Sequence, residues 1–538
     1  MKIRKFSVLS LIMILSILAG CGQTVTDNNG EKAKETKDEL VVALTPTVEP
    51  KTGYDPTTGW GRVGSPLFQS TLLKLDENAK LVNDLATDYK ISDDGLEYEF
   101  TLRDDAKFTD DTKVTAEDVA YTFETTANSG SVVDLNYVDK VEALDEKHVK
   151  FTLKNPQLPF LYAVAKTGIV PKHLHSDKYG LNPVGSGPYK FVQWDKGQQL
   201  IVEANENYYG KKPYFKKITF LYYDEDTAFA AAQAGEVDIA FTNPNSALQK
   251  IEGMKLVNVK TVDARCISMP CVEYGLEKDS NGNAVGNDVS SDINIRKAIN
   301  IGINRKELVD GILNGYGEPA YSMCDSLPWG NDSEAFEDNK VDEAKKILEE
   351  AGWRDSDNDG IREKDGVKAE LTLYYTTGEQ VRQSVTIAVG EQIEKLGIKV
   401  NVEGKSWDEI YANYLHTNPV VFGKGTLDPI EMYNSYSSDL KGVLNNNPGY
   451  YSNPTVDYYM KKAFACTTEE ESNKYWKEAQ FDGTTGCGNQ GDIAWIWLVK
   501  PDHLYFVREG LDIGKQLPHP HKYGYYDLTS NITDWRFE

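Results

Sequence analysis

The sequence predicts an α/β protein of roughly three lobes, and three observations predict it. The chain has 538 residues, against ~100–200 residues for a typical domain. Apolar residues make up 40% and charged residues 26%, a ratio that fills packed cores rather than a disordered chain. Strand patterns of period two alternate with helix patterns, most clearly over 218–240 and again beyond 275.

The first element is an address. Residues 1–5 are basic, with Lys2, Arg4 and Lys5, and residues 6–18 are apolar apart from Ser7, Ser10 and Ser16. That run is shorter than the ~20 residues that span a bilayer, and small residues follow it, so it reads as a secretory signal. Its end, Leu18-Ala19-Gly20-Cys21, resembles the lipobox of bacterial lipoproteins. The resemblance implies that Cys21 is lipidated and becomes the new N-terminus, holding the protein on the outer face of the cytoplasmic membrane by its acyl chains. Residues 22–38 are polar and read as a flexible tether. No second apolar stretch of spanning length follows.

The folded part opens with an apolar strand at 40–44. A Gly/Pro/Thr-rich loop over 45–65 holds Tyr54, Trp60 and Arg62. Strands are expected at 97–102 and 148–153, where apolar residues alternate, with a helix from 116 capped by Thr115 and carrying Glu117 and Asp118 in its first turn. Residues 185–189, Gly-Ser-Gly-Pro-Tyr, form a turn. Strands at 189–204 and 218–223, a helix at 227–234 ending on Gly235 and a strand at 237–240 make a β–α–β unit. Helices follow at 295–303, 306–313 (with Gly315 as its cap), 341–351 (stopped by Gly352) and 379–396 (closed by Gly397). Strands lie at 369–375 and 398–402. Residues 492–499 are apolar and fit either a strand or a helix.

Charge narrows the function. With 83 Asp+Glu against 58 Lys+Arg, the formal net charge is −25, and removal of the signal makes the chain more acidic still. Such a surface repels nucleic acid and offers no basic patch to anionic lipid. The 31 Tyr, 18 Phe and 9 Trp suit either a large core or a ligand-facing wall. G-x-S-x-G, H-E-x-x-H and P-loop patterns are absent from the sequence, so no enzyme class is indicated. Residues 355–361, Asp-Ser-Asp-Asn-Asp-Gly-Ile, match the start of a calcium loop through Asp355, Asp357 and Asp359, but Gly366 stands where the closing Glu belongs. Calcium there and a solvated turn both remain open, and no other cofactor or metal is expected. His519 and His521 are not expected to chelate one ion, whereas His416 precedes a Gly-rich loop and is a candidate ligand contact. Five cysteines remain after lipidation, so at least one is unpaired; a Cys466–Cys487 bridge is left open.

Several segments taken together resemble one family. They are 115–123 (Thr-Ala-Glu-Asp-Val-Ala-Tyr-Thr-Phe), 185–189, 205–210 (Asn-Glu-Asn-Tyr-Tyr-Gly), 234–238 (Ala-Gly-Glu-Val-Asp), 295–300 (Ile-Arg-Lys-Ala-Ile-Asn), Ala351-Gly352-Trp353 and Asp428-Pro429. In this order the chain is similar to the family 5 extracellular solute-binding proteins of ABC importers, the peptide and nickel group, over about 40–538. The resemblance implies a periplasmic-binding-protein-like class II bilobed fold with an additional third domain. Lobe I would comprise 39–66, 184–270 and 497–538, the additional domain 67–183, and lobe II 271–496. It further implies a monomer, no catalysis, capture of a peptide or a nickel chelate between the lobes, and delivery to a permease driven by a separate ATPase. Peptide-binding relatives often place an acid three positions before the Asp-Pro, where it grips the ammonium; here that position is Gly425. Asp428 is expected to cap the next helix. Trp60, Arg62, Arg265, His416 and Lys424 are the candidate ligand contacts, with Arg265 and Lys424 as partners for a ligand carboxylate. The alternatives are an extracellular hydrolase, or a peptide-signal receptor using the same cleft.

Overall fold

Strand Glu39–Leu44 is apolar because it lies inside a sheet covered on both faces. It pairs in parallel with Lys217–Tyr222 (Leu40 opposite Ile218, Val42 opposite Phe220) and with Ile239–Thr242. The seven strands run, in spatial order, Met254–Val259, His503–Arg508, Ile239–Thr242, Glu39–Leu44, Lys217–Tyr222, Gln199–Ala204 and Tyr189–Asp195. Helix Glu225–Gln233 carries the crossover between two of the parallel strands, and Asp224 caps it by accepting the Thr227 N–H at 2.8 Å. The computed structural model describes residues 37–61, 66–129, 133–521 and 526–538, and the chain from Asp38 to Glu538 forms one compact unit. The signal, most of the tether, Cys21 and Arg62 lie outside the described residues. Among the described residues, no helix is long and apolar enough to cross a membrane.

A second sheet of six strands runs Gly317–Pro319, Trp495–Pro501, Ala264–Ser268, Val420–Lys424, Glu370–Thr376 and Lys399–Lys405. Its residues alternate between two cores. Val420, Phe422, Trp495 and Trp497 face one, and Val421, Ile496 and Leu498 face the other. This two-sided burial makes 492–499 apolar throughout, and the segment is a strand. Helix Gln380–Glu394 carries the parallel crossover from Glu370–Thr376 to Lys399–Lys405. Gly397, with φ +84°, follows that helix in the left-handed conformation open to glycine.

The third core is drawn mainly from 67–183, with Cys466 joining it. Four antiparallel strands, Ala86–Ile91, Glu97–Leu102, His148–Leu153 and Val138–Ala143, pack Phe100 and Phe151 against Val119 and Phe123 of helix Ala116–Asn128. Asp118 accepts the Thr115 N–H at 3.0 Å, closing that helix start. This is a bilobed α/β fold of class II type with an extra domain.

The chain passes between the two large sheets at 260–263 and at Asp502. These points differ from the expected lobe limits at 270 and 497. Strand Ala264–Ser268 pairs on both edges within the second sheet, and Trp495–Pro501 belongs wholly to that sheet. All five described cysteines are free thiols. Cys466 and Cys487 sit in different cores, so the bridge left open by the sequence does not form.

Candidate ligand-binding cleft

A cavity of about 1220 Å³ lies between the two large sheets. Its position follows from topology. In the first sheet, Thr45, Asp224 and Asn243 lie just past the carboxyl ends of the parallel strands and line it; in the second, Gly378, Trp407 and Gly425 do the same. Ligands of open α/β sheets bind at such strand ends because the loops that leave them converge there. The extra domain adds Lys74, Asp84 and Lys166 to the wall.

The wall is charged with both signs. Asp263, 1% exposed, lies between the Arg265 guanidinium, to which it is hydrogen-bonded, and His521, whose Nδ1 is 2.6 Å away. Burial opposes the carboxylate, yet Arg265 and His521 hold Asp263 well below the usual carboxylate range. Arg382 donates to Glu379 through Nε and Nη2 at 3.0 Å each and to the Val421 carbonyl at 3.1 Å. Glu379 in turn stands 4.0 Å from Arg265 Nη2. Arg265 Nε is buried without a partner. Lys424 Nζ donates to Glu431 at 2.7 Å and lies over the Trp495 ring. Across the cavity, Lys166 of the extra domain donates to Asp428 at 2.9 Å. Asp428 also accepts the Ile430 N–H at 3.0 Å, the helix-start role expected of it.

Of the residues singled out from sequence, Arg265 and Lys424 come together. They sit on adjacent strands, with Arg265 opposite Gly423 and Ala264 opposite Lys424, and both line the cavity. Trp60 does not join them. It is buried in the first core against Tyr54 and Tyr526, and its Nε1 donates to the Pro66 carbonyl at 2.9 Å. His416 also stands apart, with Nδ1 3.0 Å from the Pro448 carbonyl and its ring edge-on to Tyr450. Asp355, Asp357 and Glu363 converge at the surface, and Lys368 pairs with both Asp357 and Asp359. Gly425 has φ +145°, and a Cβ there would stand 1.9 Å from the Val262 carbonyl oxygen. This backbone therefore excludes the acid that peptide-binding relatives place at that position.

Sequence reasoning missed Asp263, Glu379, Arg382, Lys166 and His521 as wall residues. The i, i+2 spacing of Asp263 and Arg265 was the usable signal, since on a strand it puts both side chains on one face. Gly423 was another. A Cβ there would be 2.2 Å from His521 Cε1, so glycine admits the ring.

Residues 80–443 match the family model described as "Bacterial extracellular solute-binding proteins, family 5 Middle". Protein XP55 of Streptomyces lividans is 31% identical, over 89% of this chain and 86% of that protein. The oligopeptide-binding protein AppA of Bacillus subtilis is 30% identical, over 89% of this chain and 91% of that protein. Among solved structures, NikZ from Campylobacter jejuni in complex with Ni(L-His) superposes with a TM-score of 0.75 at 26% identity, covering 93% of this chain and 99% of that one. A matched span that reaches across both large sheets, and relatives of the same length and fold, lead to one conclusion: the chain belongs to family 5 of the bacterial extracellular solute-binding proteins.

Proposed function

We propose that this protein is the capture subunit of an ABC importer, held outside the cytoplasmic membrane by lipid on Cys21. It closes on a short peptide and releases it unchanged to a permease powered by a separate ATPase. The observation that carries the reading is the cavity itself. At about 1220 Å³ it exceeds the ~300–1,000 Å³ of most small-molecule pockets. Cations (Arg265, Lys424) and anions (Glu379, Glu431) stand on its wall, as the two ends of a zwitterionic chain require. Ligand contacts to both lobes favour the closed state, and the ligand shifts the equilibrium by its differential affinity. The likeness to AppA supports the peptide class.

A second reading, capture of a nickel chelate, draws on the likeness to NikZ and on His503 and His521 at the wall. Native mass spectrometry of the protein purified from its own host, with metal analysis, separates the two. A co-purified ladder of peptide masses is expected. One nickel per chain with a small organic chelator supports the second reading instead. Chemical conversion of added peptides by the purified protein alone overturns both.

A further inference from the structure

We propose that the chain itself holds one divalent transition-metal ion of the zinc, cobalt and nickel class between His503, His519 and Asp527, where the two lobes join. One nitrogen of each imidazole and one carboxylate oxygen lie within 4.8 Å of one another, and all three residues are buried. His503 Nδ1 is 3.1 Å from His519 Nδ1, and His519 Nδ1 is 3.2 Å from Asp527 Oδ2. Metal–ligand bonds of ~2.0–2.1 Å in a tetrahedron set neighbouring donors roughly 3.3 Å apart. Two of the three donor pairs meet that spacing, and the third lies within 4.8 Å.

The surroundings point the same way. Asp527 is 2% exposed, and neither of its carboxylate oxygens has a hydrogen-bond partner. In its ionised form a buried carboxylate is costly and calls for a cation beside it. Asp263 Oδ2 lies 3.6 Å from His503 Nε2. A carboxylate on that side of the ring favours Nδ1 as the nitrogen left for a metal, as in carboxylate–histidine–metal arrangements. Arg265 also faces this region, but its charge is paired with Asp263. Two imidazoles and one carboxylate select borderline transition ions over calcium or magnesium.

The place gives the ion a role. His503 follows the crossover residue Asp502. His519 donates its N–H to the Lys260 carbonyl and accepts from the Val262 N–H, at 2.9 Å each, so the ion ties together the strands that join the lobes. His503 and Asp527 also line the cavity, which leaves an open coordination position for a ligand amine or carboxylate. The proposal stands whichever ligand the cavity takes.

The test titrates Co²⁺ alone into the full chain after stripping with EDTA and dialysis, read by visible absorption and calorimetry. One ion per chain with the d–d bands of low-coordinate cobalt, displaced by Zn²⁺, is expected. Asp527→Asn and His519→Gln should each weaken binding on the order of 100-fold, while His416→Gln, away from the trio, leaves it unchanged. Absence of binding, or equal affinity in all three variants, overturns the proposal. Should a variant misfold by circular dichroism, X-ray absorption of the metal-loaded wild type decides, with two imidazoles supporting the proposal and none refuting it. Peptide binding by the stripped chain would keep the transport reading intact even if the metal fails.

Discussion

Asp263 shows how one buried acid organises a binding wall. It is paired with Arg265 and with His521, while His503 Nε2 stands 3.6 Å away. Removing Arg265 leaves that buried carboxylate with His521 as its remaining close partner, so Arg265→Ala should cost stability on the order of 3 kcal/mol, the low end for breaking a buried pair. Asp263→Asn combined with Arg265→Gln should recover a good part of it. A double-mutant cycle by chemical denaturation measures the coupling, and additive effects would mean the pair acts independently. Glu334 makes the opposite case. Burial pushes its carboxyl up to about 7; its Oε2 accepts the Asn489 N–H while Oε1 has no partner. An acid whose pKa is raised by folding favours the folded state only while protonated. Its contribution is therefore complete below ~4.5 and fades as pH rises to about 7. The stability of wild type relative to Glu334→Gln should fall by up to about 3 kcal/mol across that window, measured by urea unfolding at stepped pH. Arg265 and Lys424 were singled out as partners for a ligand carboxylate, Lys424 from the loop matched to the family, and both line the cavity. Glu379 and Arg382 were not, because an i, i+3 pair at a helix start looks like any surface ion pair. Trp60 misled because an aromatic residue in a glycine-rich loop serves a core as readily as a ligand.

At the scale of elements, backbone approach explains what side chains do not. Gly185 and Gly187 press against residues 67–69, and a Cβ on Gly185 would lie 2.0 Å from the Phe68 carbonyl oxygen. The Gly187 N–H donates to that same oxygen at 2.7 Å. Gly185→Ala must therefore shift one segment. A loss of several kcal/mol is expected, in the range of a severe core lesion, read as a lowered melting temperature; an unchanged melting temperature would show that the contact yields freely. Strand and helix periods predicted the elements well where one face is exposed, as at Glu97–Leu102. They could not separate strand from helix at Trp495–Pro501, buried on both sides. Lobe limits were harder still, because the switch between sheets occurs within a few residues of continuous extended chain.

For the molecule as a whole, two short crossovers, 260–263 and Asp502, join the large sheets. Thr261 donates to the Pro501 carbonyl at 2.7 Å and Lys260 pairs with Asp502 at 3.3 Å, so the connections are braced side by side. Small-angle scattering should show a smaller radius of gyration on addition of a bound peptide, and an unchanged radius would refute lobe closure. The extra domain meets both partners. Ser70 donates to the Ser186 carbonyl at 3.0 Å on one side. On the other, Tyr162 reaches Glu469 at 2.8 Å and Lys166 reaches Asp428 at 2.9 Å. Lys166→Ala should speed dissociation of the guest several-fold while leaving its arrival rate nearly unchanged, as stopped-flow fluorescence would resolve. The Lys166–Asp428 pair then behaves as a latch on the rim of the mouth. A permease that pulls this domain aside would unfasten one ion pair and empty the chamber, without having to compete for the cargo at its deepest contacts.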